Sequence, residues 1–195
     1  MPDSITTIQV MKQCDYKRMP WKNGLGETLE IHRLDDADGV RFRISQAAVV
    51  EDGVFSDFSG LHRTLVLLSG NDMTLHHQSQ LDSVLKKPLD IARFAGDDET
   101  LATLHNGAIE DLNIMVRDTD TKAAVTACLS PHIIETSTDQ TVLFEGFYAN
   151  QKCTFSIKTE RETLTVEPHS FMKFETNTTT KLVAGSGVFI QILER

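Results

Sequence analysis

Trp21, Asn23, Glu27, Arg43, Ser45, Ser56, Arg63, Asp111, Asn113 and Arg117 are the side chains of this sequence best suited to hold a small polar molecule. Arginine offers a planar fork of donors that matches a carboxylate, and an asparagine amide reads a carbonyl or an amide. The chemistry implied is recognition of a small acid or amide. If the same pocket catalyses, Glu27 or Asp111 is the general base and an arginine the electrostatic stabiliser of an isomerase or hydrolase reaction. Binding and catalytic pockets draw on the same residue types, so a binding protein, an enzyme and an interaction scaffold all stay open.

Other chemistries find less support in the spacing. His76 and His77 are adjacent and on a strand point to opposite faces, and no His-x-His pair occurs among His32, His62, His105, His132 and His169. No metal site and no cofactor are therefore expected. Gly24-Leu25-Gly26 lacks the third glycine of a dinucleotide fingerprint, and neither a P-loop nor a Gly-x-Ser-x-Gly elbow is present. Cys14, Cys128 and Cys153 are widely separated, form no CxxC pair and read as small packing residues of a reducing compartment.

The elements that must position the polar set are short strands. Pro20 turns Met19 away from helix, and Gly24 and Gly26 allow backbone dihedrals closed to other residues, so the stretch around Trp21 reads as an irregular binding rim. The alternative is that Trp21 plugs one end of a core and Asn23-Gly24 is a plain turn. The next residues alternate as a strand, with Thr28, Glu30 and His32 on one face. A strand over 41–50 puts Arg41, Arg43 and Ser45 opposite Phe42 and Ile44, and 64–68 is an apolar buried strand. Over 111–117, Leu112, Ile114 and Val116 share one face, while Asp111, Asn113, Met115 and Arg117 share the other, which is either a pocket wall or a solvated sheet face. Further strands are expected at 5–10, 73–76, 81–85, 90–94, 122–129, 141–149, 153–158, 163–166, 171–174, 181–184 and 188–193, with 137–140 and 177–180 as exposed loop tips. Short strands at regular spacing, without a long amphipathic helix, argue for an all-β sandwich or jelly-roll barrel.

Composition narrows the class. The 195 residues are enough to bury roughly 70% of the unfolded chain's surface in one large domain or two fused lobes. Nineteen basic against 28 acidic side chains give a formal charge of −9, which disfavours direct contact with nucleic acid or an anionic membrane. The N-terminus carries no signal-peptide pattern and no apolar run approaches a bilayer span, so a cytoplasmic protein is expected.

Several ordered blocks resemble the HutD/Ves family of cupin-like proteins: Trp21-Lys22-Asn23-Gly24-x-Gly26-x-Thr28, Arg43-x-Ser45, Gly53-x-Phe55-Ser56-x-Phe58-x-Gly60-x-x-Arg63, Phe94-x-Gly96-Asp97 and Asp111-Leu112-Asn113-x-Met115. The resemblance covers nearly the whole chain. It implies an all-β, bicupin-like double-stranded β-helix, two jelly-roll lobes in one unit over 1–195, placed here at about 1–105 and 106–195, without the usual cupin metal ligands. It adds Gly26, Thr28 and Met115 to the ligand-binding set. It also implies a regulatory or ligand-sensing part in histidine utilisation, with a small carboxylate or formylated amino-acid metabolite such as N-formylglutamate as partner; homodimerisation is left open. The stress-induced Ves branch would separate the chain from histidine metabolism. The chain departs from the family pattern after Met115, where Val116-Arg117 supplies one cation instead of two.

Overall fold

Two-residue alternation broken by Gly, Asn and Asp turns leaves the chain few options besides antiparallel sheet, and sheet is what forms. The computed structural model describes residues 8–21, 26–70, 72–139, 141–157, 162–175 and 177–195. Among these, the strands in chain order are β1 (Gln9–Met11), β2 (Lys17–Pro20), β3 (Glu27–Asp36), β4 (Gly39–Val49), β5 (Gly53–Val54), β6 (Leu61–Ser69), β7 (Met73–His77), β8 (Ser83–Leu85), β9 (Ile91–Ala95), β10 (Thr100–Leu104) and β11 (Ile109–Arg117). They continue with β12 (Thr121–Leu129), β13 (His132–Glu135), β14 (Val142–Ala149), β15 (Cys153–Ile157), β16 (Glu162–Val166), β17 (Phe171–Lys173), β18 (Thr179–Ala184) and β19 (Ser186–Glu194). The one helical element among them is a 3-10 turn, Gln13–Asp15. The fold is all-β and cupin-like.

The strands gather into two compact units. One comprises Tyr16–Ala123 with Arg195, and the other Ala124–Glu194 with the N-terminal stretch up to Asp15. The first unit holds a six-stranded sheet, β2-β3-β4-β11-β6-β9, and a four-stranded sheet, β5-β10-β7-β8. β11, which follows the Asn106-Gly107 turn, returns to the centre of the first unit's larger sheet between β4 and β6. The second unit is built from the sheets β1-β17-β14-β19-β12 and β13-β18-β15-β16.

Each unit has its own core. In the first, Leu65, Leu67, Met73, Leu75, Leu85 and Phe94 pack together from both sheets. In the second, Phe147, Phe155, Met172, Phe174 and Leu182 do so with the buried thiols Cys128 and Cys153. Burial pushes both thiols up to about 11, so they pack as neutral side chains, as expected from the sequence. Cys14 departs from that expectation, being exposed and not packed, and none of the three forms a disulfide.

Some expectations need correction. The stretch 177–180 is not a free loop tip: Thr178 and Thr180 are buried, Thr178 N donates to Thr136 Oγ1 at 2.6 Å, and Thr179–Ala184 forms β18. Threonine satisfies its own hydroxyl on nearby backbone, so a polar run can go inside. β2, β10 and β13 are strands the alternation did not reveal. Pro20 can close β2 because β2 is the sheet edge and pairs with β3 alone, leaving no ladder bond for proline to break.

Candidate functional site

The site is one face of the larger sheet in the first unit. Strand pairing sets Thr28 beside Ala47 and Ala47 beside Asp111; one step along, Glu30, Ser45 and Asn113 form a second row. Met115 lies between Arg43 and Arg63 in a third, and Arg63 pairs onward with Phe94. Because the side-chain period on a strand is two, β4 and β11 keep every second residue on this face, which makes Asp111, Asn113 and Met115 a pocket wall. The loop 55–60 between β5 and β6 folds over it. Gly96 holds that loop: Phe58 N donates to Gly96 O at 2.8 Å, and Gly96 N donates to Leu61 O at 2.7 Å. A Cβ at Gly96 would run into the carbonyls of Phe58 and Leu61, so only glycine allows this approach.

The resulting cavity is about 680 Å³, a size suited to a small metabolite. Of the residues singled out from the sequence, Trp21, Thr28, Arg43, Ser45, Ser56, Arg63, Asp111, Asn113 and Met115 line it. Asn23 lies outside the described residues. Gly26 does not line the cavity but lets the indole settle on the backbone, since a Cβ there would sit 3.0 Å from Trp21 Cζ3. The indole is further fixed by Trp21 Nε1 donating to Thr28 Oγ1 at 2.9 Å. Arg117 stands apart from the cavity. Its guanidinium donates to both oxygens of Asp36 at 2.7 and 2.6 Å and to Asp120 at 3.0 and 2.7 Å, and these bonds hold both carboxyls down to about 2. Glu27, a candidate base, is ion-paired to Arg18 and is not part of the lining.

Inside the cavity the two arginines differ. Arg43 Nε donates to Glu30 Oε2 at 2.8 Å, and both side chains are largely buried, so this cation already has its counter-charge. Arg63 is 4% exposed and sits among three rings, with its guanidinium carbon 5.0 Å from the centre of Phe55, 5.4 Å from Phe58 and 4.9 Å from Phe94. The ring faces stabilise the desolvated cation. Arg63 Nη2 donates to Asn113 Oδ1 at 2.8 Å, and Asn113 Nδ2 donates to Asp111 Oδ1 at 2.6 Å. The asparagine amide is thereby oriented from both ends. Arg63 Nε has no hydrogen-bond partner among the described residues, although it is buried. Burial lowers Arg63 to about 10, an effect Asp111 opposes and Arg43 reinforces, so it stays protonated near neutrality. Burial also raises Asp111 to about 7, against the pull of Arg63 and of the Asn113 bond and with a push from Glu110.

Three contributors went unassigned from sequence. Phe55 and Phe58 belong to the glycine-bounded block before Arg63, and their aromatic spacing beside it is the signal for a ring-lined cation. Glu30 shares a strand face with Thr28, which hinted that it faces the same space, but its pairing with Arg43 depends on strand order. The described lining contains no histidine or cysteine. Among the described residues, no group of three or more His, Cys, Asp or Glu side chains is placed to hold an ion.

Comparison with known proteins agrees with this architecture. The sequence model of the family described as HutD matches residues 13–190. An uncharacterized 21.2 kDa protein in the hutC 3' region of Pseudomonas putida is 38% identical over 113 residues, 57% of this chain and 59% of that protein. Protein Ves of Citrobacter koseri is 38% identical over 120 residues, 59% of this chain and 62% of that protein. The chain thus spans less than two thirds of the length of either curated relative. Among solved structures, HutD from Pseudomonas fluorescens SBW25, determined under a formate condition, superposes with a TM-score of 0.80 at 25% identity, covering 97% of this chain and 100% of that one. A conserved protein of unknown function from Pseudomonas aeruginosa PAO1 gives 0.75 at 28% identity, covering 97% and 99%. With the family's sequence pattern running through nearly all of it and its fold reproduced end to end, the chain belongs to the HutD family.

Proposed function

We propose that this chain is a metal-independent, cytoplasmic cupin-like protein that binds a small carboxylate in the first unit's cavity, and that it serves as a ligand-sensing or regulatory factor in histidine utilisation. The observation that carries the binding reading is Arg63: a buried guanidinium, walled by three phenylalanines, with Nε unpartnered among the described residues. A buried donor left unpaired is costly, and a ligand carboxylate supplies the acceptor and the counter-charge together. Trp21 and Met115 add apolar wall, and Ser45 and Ser56 add hydroxyls. The place in histidine utilisation rests on the names of the HutD and hutC-region relatives. The cytoplasmic assignment rests on the three unpaired cysteines.

Thermal-shift titration tests the reading, with formate, N-formyl-L-glutamate and a set of short mono- and dicarboxylates. At least one should raise Tm in a concentration-dependent way, as binding to the folded state alone requires. The Arg63→Met variant should lose the shift. If no acid moves Tm, binding is refuted and the scaffold reading, suggested by the Ves relatives, takes its place.

A second reading has one specific observation in its favour. Asp111 titrates near neutrality inside the cavity, where a general base would be useful. Turnover of a bound acid that is abolished in Asp111→Asn, with binding retained, would move the protein to the enzymes.

A further inference from the structure

Carboxylate binding in this cavity, on which the present inference rests, raises a problem of charge. Arg43 is matched by Glu30 within hydrogen-bond distance. That leaves Arg63 as the other buried cation of the described lining, and it is already joined through Asn113 to Asp111, which is 1% exposed. With Asp111 ionised, the Arg63–Asn113–Asp111 chain is neutral, and an arriving carboxylate adds a buried negative charge with no counterpart. Two carboxylates around one guanidinium in a desolvated site do not both stay ionised; one takes a proton. Asn113 determines where that proton goes. Its Nδ2 donates to Asp111 Oδ1, so Oδ1 is occupied as an acceptor and Oδ2 is the oxygen left to carry hydrogen.

We propose that Asp111 binds the ligand as a neutral acid, its Oδ2–H donating to the ligand carboxylate while Arg63 Nε donates beside it, so that ligand binding is coupled to uptake of a proton from solvent. No covalent bond of the ligand changes; the proton balance is one taken up for each ligand bound to ionised protein.

The surroundings of Asp111 make it the titrating group. Beside it on β4 and β6 are Ala47 and Leu67, neither ionisable. Glu110 is its neighbour on β11, Arg63 is the cation that acts on it, Arg43 lines the same cavity two rows away beside Met115, and Glu51 and Asp52 stand at the exposed rim. No histidine is part of the described lining. The raised acid constant of Asp111, about 7, means that the proton is available to it near neutral pH without ligand, at little cost.

Isothermal titration calorimetry of the intact protein with sodium formate, and separately with N-formyl-L-glutamate, tests this from about pH 6 to about pH 9, in phosphate and in Tris. Both probes stay ionised throughout, because their carboxyls titrate near about pH 4 or below. Affinity should be flat below the Asp111 titration and fall about tenfold for each pH unit above it. The apparent heat should differ between the two buffers by close to one proton uptake per ligand near about pH 8, where both can still donate the proton and Asp111 is mostly ionised. Asp111→Asn presents an amide donor in the same place and cannot ionise; whether or not its affinity is weakened, its binding should have no pH slope and no buffer-dependent heat. Wild-type affinity that is constant across the range, with equal heats in both buffers, overturns the coupling and leaves carboxylate binding intact. A wild-type slope that persists in Asp111→Asn overturns the assignment to Asp111. If the variant does not fold, the wild-type comparison between buffers still decides whether a proton is taken up. Absence of binding by either probe at every pH refutes the binding reading itself.

Discussion

At the scale of single residues, Arg63 is the side chain whose replacement separates charge from shape. Lysine keeps the positive charge but exchanges a planar fork for a compact, strongly hydrated ammonium that suits the phenylalanine box less well. Methionine fills the box with a polarisable apolar chain that packs well against ring edges. Arg63→Met should therefore fold with a Tm near or above that of Arg63→Lys, yet bind no carboxylate, while Arg63→Lys should retain binding weakened by about 2–5 kcal/mol. Thermal melts with and without N-formyl-L-glutamate check both halves. Asp111 makes a separate prediction for the ligand-free protein. Its folded-state acid constant, about 7, is above the reference value of 3.8, so the folded chain holds the proton more tightly than the unfolded chain. The stability it contributes is complete below about pH 4 and is lost as the pH rises through about 7. Asp36 and Asp120, held near 2, act in the opposite sense and outside that window: their contribution is present above 3.8 and is lost as the pH falls through about 2. Between about pH 4 and pH 7 the Tm difference between wild type and Asp111→Asn should thus drift steadily, and above about pH 8 it should be constant. Parallel Tm curves across the window would show that Asp111 is not perturbed. The alternation of Asp111 and Asn113 with Leu112 and Ile114 was visible in the sequence, because a strand's period is two. The neutralisation of Arg43 by Glu30 was not, because nothing in either residue's neighbourhood says which strand lies next to which.

At the scale of elements, the loop 55–60 decides whether the cavity has a wall. It brings Phe55, Ser56 and Phe58 over the sheet, and its position depends on the backbone contacts with Gly96. Gly96→Ala forces the Phe58 and Leu61 carbonyls apart, which should cost about 1–3 kcal/mol of stability, as overpacking does, and should weaken carboxylate binding although no cavity-lining side chain has changed. A variant with lowered Tm and unaltered affinity would show that the loop is not part of the binding machinery. Arg117 supplies the contrasting case. It ties the end of β3, at Asp36, to the turn between β11 and β12, at Asp120, and takes no part in the cavity lining. Arg117→Ala should lower Tm more at low salt than at high salt, since the pairs it breaks are exposed on their acidic side, and should leave formate affinity unchanged. These two positions show how unevenly elements are written in a sequence. Strands with a clean apolar face, such as β6 and β11, declare themselves. β2 ends in proline and is a strand only because it lies at an edge, and β13 carries Ile133 outward and Ile134 inward over four residues, too few to establish a period. Gly96 enters the sequence only as part of the Phe94-x-Gly96-Asp97 block, and the Phe58 and Leu61 carbonyls for which its missing side chain makes room lie against it only in the folded backbone.

At the scale of the whole molecule, the repeated short strands and the family pattern implied two β-lobes, set at about 1–105 and 106–195, whereas the compact units divide between Ala123 and Ala124 and the stretch up to Asp15 joins the second. The chain reverses at Asn106-Gly107, with Gly107 at φ 89°, between the end of β10 and the start of β11. What turn chemistry does not encode is that the next strand inserts between β4 and β6, because that choice is made by burial of both faces of β11 and not by its flanks. The consequence is that every described residue lining the cavity, from Met19 to Met115, belongs to the unit Tyr16–Ala123, while the other unit is filled by its own aromatic core. Ligand energy should then be delivered to one unit. Under native conditions, where amides of the two units exchange through local openings and not through global unfolding, saturating N-formyl-L-glutamate should slow exchange in 50–60, β4 and β11, which hold Ser56, Arg43, Ser45, Asp111 and Asn113. Amides of β14, β15 and β19 should be unchanged. Hydrogen-exchange mass spectrometry resolves the two sets directly: protection concentrated in the first locates the ligand at the Arg63 cavity, and protection gained mainly in the second would place binding away from Arg63, Asn113 and Asp111 altogether.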